Sequence, residues 1–220
     1  MNQVIYRMTL NLWNNLDIPK AWGNSHLKTL WNNRRSKADP TKYRGISIGS
    51  TVCKIIINII LERIRPWHES QSSDEQNRFR QNRHGTSDGI FVLKRIQQII
   101  HWKMQPLFLL FVDLTAAFDH IPRRWLFKSI ERRFPDGNLP RLFTILEKLY
   151  QRTILTFDEV KKTFKTTSGV WQGGPESPFL FNLYIDYVMR VFLDQSQIKN
   201  VNFYEHHYRI NSYTVSWEER

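Results

Sequence analysis

The chain has 220 residues, with 32 Lys and Arg against 20 Asp and Glu, a net charge of +12 and a sequence pI near 10.0. At 41% hydrophobic and 24% charged residues it has the composition of a folded domain, which excludes a disordered tail. So basic a surface points to a polyanionic partner, nucleic acid first and an acidic membrane surface second.

The charge is unevenly spread. Residues 1–110 hold 17 Lys and Arg against 7 Asp and Glu, and residues 111–220 hold 15 against 13. A phosphate-gripping part followed by a carboxylate-richer part has this pattern. A lone cysteine, Cys53, rules out a disulfide framework within the chain and favours a reducing compartment. The first residues lack the apolar core of a signal peptide. The run Ile55-Ile-Ile-Asn-Ile-Ile-Leu61 is too short to span a bilayer. The expected location is intracellular, cytoplasm or nucleus, without membrane partners.

In chain order, residues 1–19 read as an amphipathic helix ending at Pro19, and residues 20–33 as a short strand or edge segment. Residues 32–40 form a basic, turn-rich loop. Tyr43–Ile48 is a candidate strand. Ser50 or Thr51 caps the next helix, which Pro66 is expected to stop near Arg65. A polar connection follows, then a second helix from Thr86 or Ser87 to about Lys103, with Ile90, Phe91, Leu93, Ile96, Ile99 and Ile100 apolar. Leu107-Phe-Leu-Leu-Phe-Val112 is six apolar residues in a row, which predicts a strand buried on both faces with Asp113 at its end. Pro122 opens a helix to about Phe134, and another spans about 140–150. Residues 152–167 alternate, with a turn near 159–162. Residues 177–193 form an apolar helix. The stretch 199–220 is aromatic-rich and has no clear period.

Two segments carry chemistry. A carboxylate at the end of a buried strand must be paired, protonated or bound to a cation. Taken alone, Asp113 reads first as a helix cap and second as a magnesium ligand. Asp119 reads as a cap or brace for the helix beginning near Pro122, ahead of a ligand role. Gln172-Gly-Gly-Pro175 is a backbone-permissive loop opening onto a helix at Ser177-Pro178, where a negative group is favoured.

Phe111-Val-Asp-Leu-Thr-Ala-Ala-Phe-Asp119 resembles motif A of reverse transcriptases, and Gln172-Gly-Gly-Pro-Glu-Ser-Pro-Phe-Leu-Phe-Asn182 resembles their motif B. Upstream, Tyr43-Arg-Gly-Ile-Ser47 with Lys54, and Gln76-Asn-Arg-Phe-Arg80, resemble the fingers motifs of the non-LTR (LINE-like) retrotransposon branch. The resemblance covers residues 20–194. It implies an α+β fold: fingers and a partial palm of a right-hand polymerase, with 1–105 fingers-like, 106–194 palm-like and 195–220 an atypical tail. It also implies RNA-directed DNA synthesis from deoxynucleoside triphosphates on an RNA template and DNA primer, with magnesium ions at the transferring phosphate.

Residue by residue, the resemblance makes Asp113 the catalytic, metal-binding carboxylate, supported by the Leu114 carbonyl. Phe118 would lie under the incoming sugar and select against a 2′-hydroxyl; core packing is its other reading, and both can hold. Gln172 and Gly173 would contact the nucleotide and templating pair. Arg44, Lys54 and Arg80 are candidates for the triphosphate or template backbone, and equally for ordinary surface cations.

There are departures. Arg78 stands where the fingers motif usually has Gly, and Trp171 where this branch often has Arg. No Asp-Asp pair of the motif C kind follows motif B in this sequence, and no aspartate follows Asp194. Tyr204-Glu-His-His207 lacks helical metal-ligand spacing. The expectation is therefore a domain fragment, truncated before motif C, with little or no polymerase activity by itself. The alternative is a non-catalytic nucleic-acid-binding transposon remnant; a splicing-related or telomerase-like relative is a third reading.

Overall fold

The computed structural model describes residues 2–31, 37–39, 43–72, 76, 78–80, 83–109, 111–134, 136–195, 199–203 and 210–214. The described elements run α1 (Asn2–Asn15), a 3-10 turn (Lys20–Gly23), β1 (Asn24–Trp31), β2 (Tyr43–Gly49), α2 (Thr51–Gln71), α3 (Thr86–Trp102), α4 (Arg123–Glu131) and α5 (Arg141–Gln151). They continue with β3 (Ile154–Phe157), β4 (Lys162–Lys165), α6 (Ser177–Gln195), β5 (Lys199–Phe203) and β6 (Ile210–Thr214). The chain is thus mixed α and β. It divides into a unit of residues 1–184 and a unit of residues 185–220, which contains the β5–β6 hairpin. The aperiodic tail therefore forms strands where the sequence offers no alternation to announce them.

The larger unit carries a four-stranded sheet in the order β2-β1-β3-β4. β1 pairs antiparallel with β2, from Ser25 opposite Gly49 to Trp31 opposite Tyr43. It pairs in parallel with β3, Asn24 opposite Ile154, and β3 returns antiparallel through β4. β2 is therefore an edge strand, and its outer N–H and C=O groups need partners from elsewhere.

The core is helical. Cys53, Ile56, Ile57, Ile60, Leu61 and Ile64 recur at the helical period along α2 and join one buried cluster with Leu126 and Ile130 of α4, Leu142, Leu146, Leu149 and Tyr150 of α5, and Leu180 and Leu183 of α6. Each such side chain contributes about 1.5–3 kcal/mol on burial. Ser50 starts α2 as expected, its Oγ accepting the Cys53 N–H at 3.3 Å.

Pro66 does not stop α2, which continues to Gln71. The residues beyond it are held by packing: Trp67 stacks on Phe134 at 4.9 Å and His68 lies against Phe179 at 4.7 Å. That tertiary burial outweighs the one hydrogen bond proline forfeits. α3 begins after Gly85, with no side-chain cap from Thr86 or Ser87, and the Asp88 carboxylate instead accepts the His84 N–H at 2.9 Å.

The largest correction concerns residues 107–112. The described residues of this run form no strand and are exposed, Phe108 at 91% and Phe111 at 77%. A run buried on both faces needs strand neighbours and covering layers, and no strand of the described sheet pairs with it. α3, just before it, buries none of its side chains. Asp113 is consequently exposed and does not cap a buried strand.

Candidate functional site

Three segments distant in sequence meet at one cleft: β2 with the first turn of α2, the turn 115–120, and the loop 170–176 leading into α6. The cleft encloses about 360 Å³ and is lined by Arg44, Lys54, Phe118, Gln172 and Gly173, with Phe79 and Trp171 among the other walls. Five of the eight site residues expected from sequence are thereby brought together.

Gln172 joins all three segments. Its carbonyl accepts the Ser47 N–H at 2.7 Å, which supplies the partner that edge strand β2 lacks. Its Oε1 accepts from Arg44 Nε at 3.0 Å, and its Nε2 donates to both carboxylate oxygens of Asp119, at 2.7 and 2.8 Å. Only a side chain with donor and acceptor on one short stem can do both. Asp119 is therefore a brace, as expected, but for the loop and not for α4. Gly173 follows at φ +112, and a Cβ there would stand 2.9 Å from the Ser47 carbonyl oxygen. A residue bearing a side chain would push the loop off the strand.

The turn carrying Phe118 is tied to the same loop by Val170 N–H to the Phe118 carbonyl and Gly169 N–H to the Ile121 carbonyl, both 2.8 Å. Phe118 is half-buried and stacks on Phe181 of α6 with centroids 4.7 Å apart and planes 5° from parallel. Phe79 meets it edge-on at 6.3 Å. Packing is thus one of its roles. Among the described residues around it, Phe79 is left-handed, at φ +59, and Arg78 places its guanidinium 5.6 Å from that ring.

Arg80 is not at the cleft. Its Nε donates to Glu69 Oε2 at 2.9 Å, and its side chain is nearly buried. Asp113 and Leu114 are exposed and do not line the cleft either. Tyr204–His207 lies outside the described residues.

Sequence reasoning gave no role to four residues that hold this geometry. Arg123 donates to the carbonyls of Gly169, Tyr150 and Thr166 at 2.8 Å each, and to the Thr153 and Thr166 hydroxyls, binding α4 to the β3–β4 hairpin and to the loop. Asn182, 1% exposed, accepts from Gln76 Nε2 at 2.7 Å and donates to the Arg78 carbonyl at 2.8 Å, tying Gln76 and Arg78 to α6. Tyr150 and Glu176 are buried behind the loop and hydrogen-bonded at 2.9 Å. Burial pushes the Glu176 carboxyl above the ordinary carboxylate range and the Tyr150 hydroxyl well above its own. Cys53, nearby on α2, is pushed up to about 12 by burial, with Glu176 adding to the effect. It is a packed thiol and not a nucleophile.

The profile of the family described as "Reverse transcriptase (RNA-dependent DNA polymerase)" matches residues 35–208. The chain belongs to the reverse transcriptase family. It is also similar to the "Retrovirus-related Pol polyprotein from type-1 retrotransposable element R2" of Nasonia vitripennis, with 28% identity over 156 residues. The match covers 69% of this chain and 14% of that polyprotein, so the chain spans a small part of its relative's length. The family match, over most of the chain, makes it a reverse transcriptase domain.

Reverse transcriptases use a nucleic-acid template, nucleotide substrates and a divalent metal. The donor set described in this domain does not fit a two-metal centre. Asp113 and the Leu114 carbonyl offer one arm. The Asp119 carboxylate is engaged by Gln172, and no three His, Cys, Asp or Glu gather among the described residues. No helix among the described residues is long and apolar enough to cross a membrane.

Proposed function

We propose that this domain holds a deoxynucleoside triphosphate in the cleft between Arg44, Lys54, Phe118 and Gln172, beside an RNA template and DNA primer. It is the nucleotide-holding part of an RNA-directed DNA polymerase. One observation carries the reading: Gln172 hydrogen-bonds at once to the fingers strand through Arg44 and Ser47 and to motif A through Asp119. Two cations, an aromatic face and a tight glycine loop then share one cavity.

In this reading Arg44 and Lys54 face the phosphates, where Arg supplies directed donors and Lys a point charge. Phe118, held by Phe181, lies under the sugar. Gly173 brings the main chain close to the base pair. Residues 1–105 serve as fingers and 106–194 as a partial palm, and the protein acts inside the cell, in cytoplasm or nucleus. Asp113 is the carboxylate this chain offers to a magnesium ion. If a magnesium ion binds there, Asp113 would hold it and the ion would supply charge stabilisation at a transferring phosphate. No bond-making step is assigned to this chain alone.

The test pairs binding with turnover. An RNA template annealed to a DNA primer is titrated with the chain at several salt concentrations, dTTP binding is measured separately, and single-nucleotide incorporation is assayed with magnesium. The reading expects salt-dependent duplex binding, saturable dTTP binding and negligible incorporation. Duplex binding without dTTP binding identifies the non-catalytic remnant instead. Magnesium-dependent extension abolished by Asp113→Ala would overturn the expected inactivity.

A further inference from the structure

Behind the nucleotide cleft lies a polar group to which the family motifs assign nothing. Tyr150 and Glu176 are 1% and 2% exposed. The Tyr150 hydroxyl donates to Glu176 Oε1 at 2.9 Å, lies 3.3 Å from Ser177 Oγ, and accepts the Trp171 N–H at 3.3 Å. The Tyr150 and Trp171 rings stack at 5.4 Å. Glu176 lies between the Gln172-Gly173 and Ser177-Pro178 pairs of the motif B run, at a position to which the resemblance gives no role, so nothing there calls for a buried carboxyl. Its headgroup fills the space beside Gly174, where a Cβ would meet Oε1 at 2.5 Å.

We propose that Tyr150 and Glu176 are positioning residues for the nucleotide site, one buried hydroxyl holding both ends of the loop whose Gln172 and Gly173 line the cleft. This rests on the nucleotide-binding reading above. Trp171 and Glu176 bracket Gln172–Pro175, and both are fastened to the same oxygen on α5. α5 is the most completely buried helix of the core, with Leu142, Phe143, Ile145, Leu146 and Leu149 each 2% exposed or less. The loop's position thereby refers to the rigid part of the molecule and not to the solvent-facing strand β2. The hydroxyl matters more than the ring: a phenyl group keeps the stack but leaves the Trp171 N–H and the Glu176 carboxyl buried without their shared partner. Loosening these two ends shifts Gln172 relative to Arg44 and Asp119, and with it the cavity's shape. Lys54, which faces both the cleft and the Glu176 carboxyl electrostatically, links the buried pair to the phosphate-facing side.

The experiment measures dTTP affinity, in magnesium buffer, for the full chain and for Tyr150→Phe, Glu176→Ala and Glu176→Gln, with thermal melts in parallel so that only folded protein is compared. Tyr150→Phe and Glu176→Ala are expected to weaken dTTP binding by about tenfold, the equivalent of one buried hydrogen bond. Glu176→Gln keeps the acceptor and restores affinity to within about twofold of the parent. Melts lowered while dTTP affinity stays at the parental value in all three variants would overturn the proposal and leave the pair a purely structural one. Failure of the unaltered chain to bind dTTP would overturn the nucleotide-site reading itself, and the positioning role with it.

Discussion

Replacing Gly173 by alanine tests how the cleft is built. At φ +112 the residue lies where an L-amino acid is strained, and its Cβ would stand 2.9 Å from the Ser47 carbonyl oxygen and 3.5 Å from Ile46 Cγ2. The obstructing atom belongs to the backbone of β2, so no side chain can rotate away. Relief requires the loop to leave the strand edge, which breaks the 2.7 Å bond from the Ser47 N–H to the Gln172 carbonyl. Backbone strain of about 1–2 kcal/mol and the lost hydrogen bond of about 1 kcal/mol sum to roughly 2–3 kcal/mol. Urea unfolding measures the loss as a lower midpoint at unchanged slope. Gly137→Ala is the control: its φ is +72 but nothing lies within 4 Å, so it incurs backbone strain alone. Equal losses in the two variants would refute the claimed contact between loop and strand, and a parental midpoint in Gly173→Ala would refute the geometry outright.

Four further outcomes follow. Arg123→Met strips the donors from three carbonyls and two hydroxyls and should cost about 2–4 kcal/mol in urea unfolding, although Arg123 lies outside the motifs. Asp113→Asn, at an exposed position, should change stability by less than about 0.5 kcal/mol; a larger loss would mean that the carboxylate is structurally engaged. Phe118→Val should narrow the ratio of dTTP to UTP affinity, and an unchanged ratio would leave Phe118 with packing alone. Burial lowers the His68 imidazole to about 4 from 6.5, so the unfolded chain binds the extra proton between those values. Stability is then full above pH 6.5 and falls by roughly 3 kcal/mol as pH drops to 4. His68→Leu should remove that slope, and identical acid profiles for parent and variant would contradict the assignment.

The sequence announced the helices well because their apolar period is unambiguous, as along α2 and α5. The β3–β4 hairpin was legible from alternation and a polar turn. Pro66 misled, since a local rule about proline cannot register Trp67 and His68 packing on Phe134 and Phe179 more than sixty residues away in the chain. The apolar run at 107–112 misled in the opposite sense: composition reports a wish for burial, while a strand also needs neighbours. At the site, motif B pointed to Gln172 and Gly173, and the structure adds why they belong together. Arg123 and Tyr150 were not legible, because a side chain's bond to a distant residue leaves no local pattern; Asn182 closes the motif B run, but nothing there marks its bonds to Gln76 and Arg78. Glu176 could have been questioned, as a lone carboxylate ahead of an apolar helix.

The most direct test of the central claim is an equilibrium titration of the chain with dTTP, set beside Gln172→Ala. The account predicts saturable binding by the parent and binding at least about tenfold weaker in the variant, since Gln172 connects Arg44, Ser47 and Asp119 around the cleft. Equal binding by both would place the nucleotide elsewhere and contradict the account.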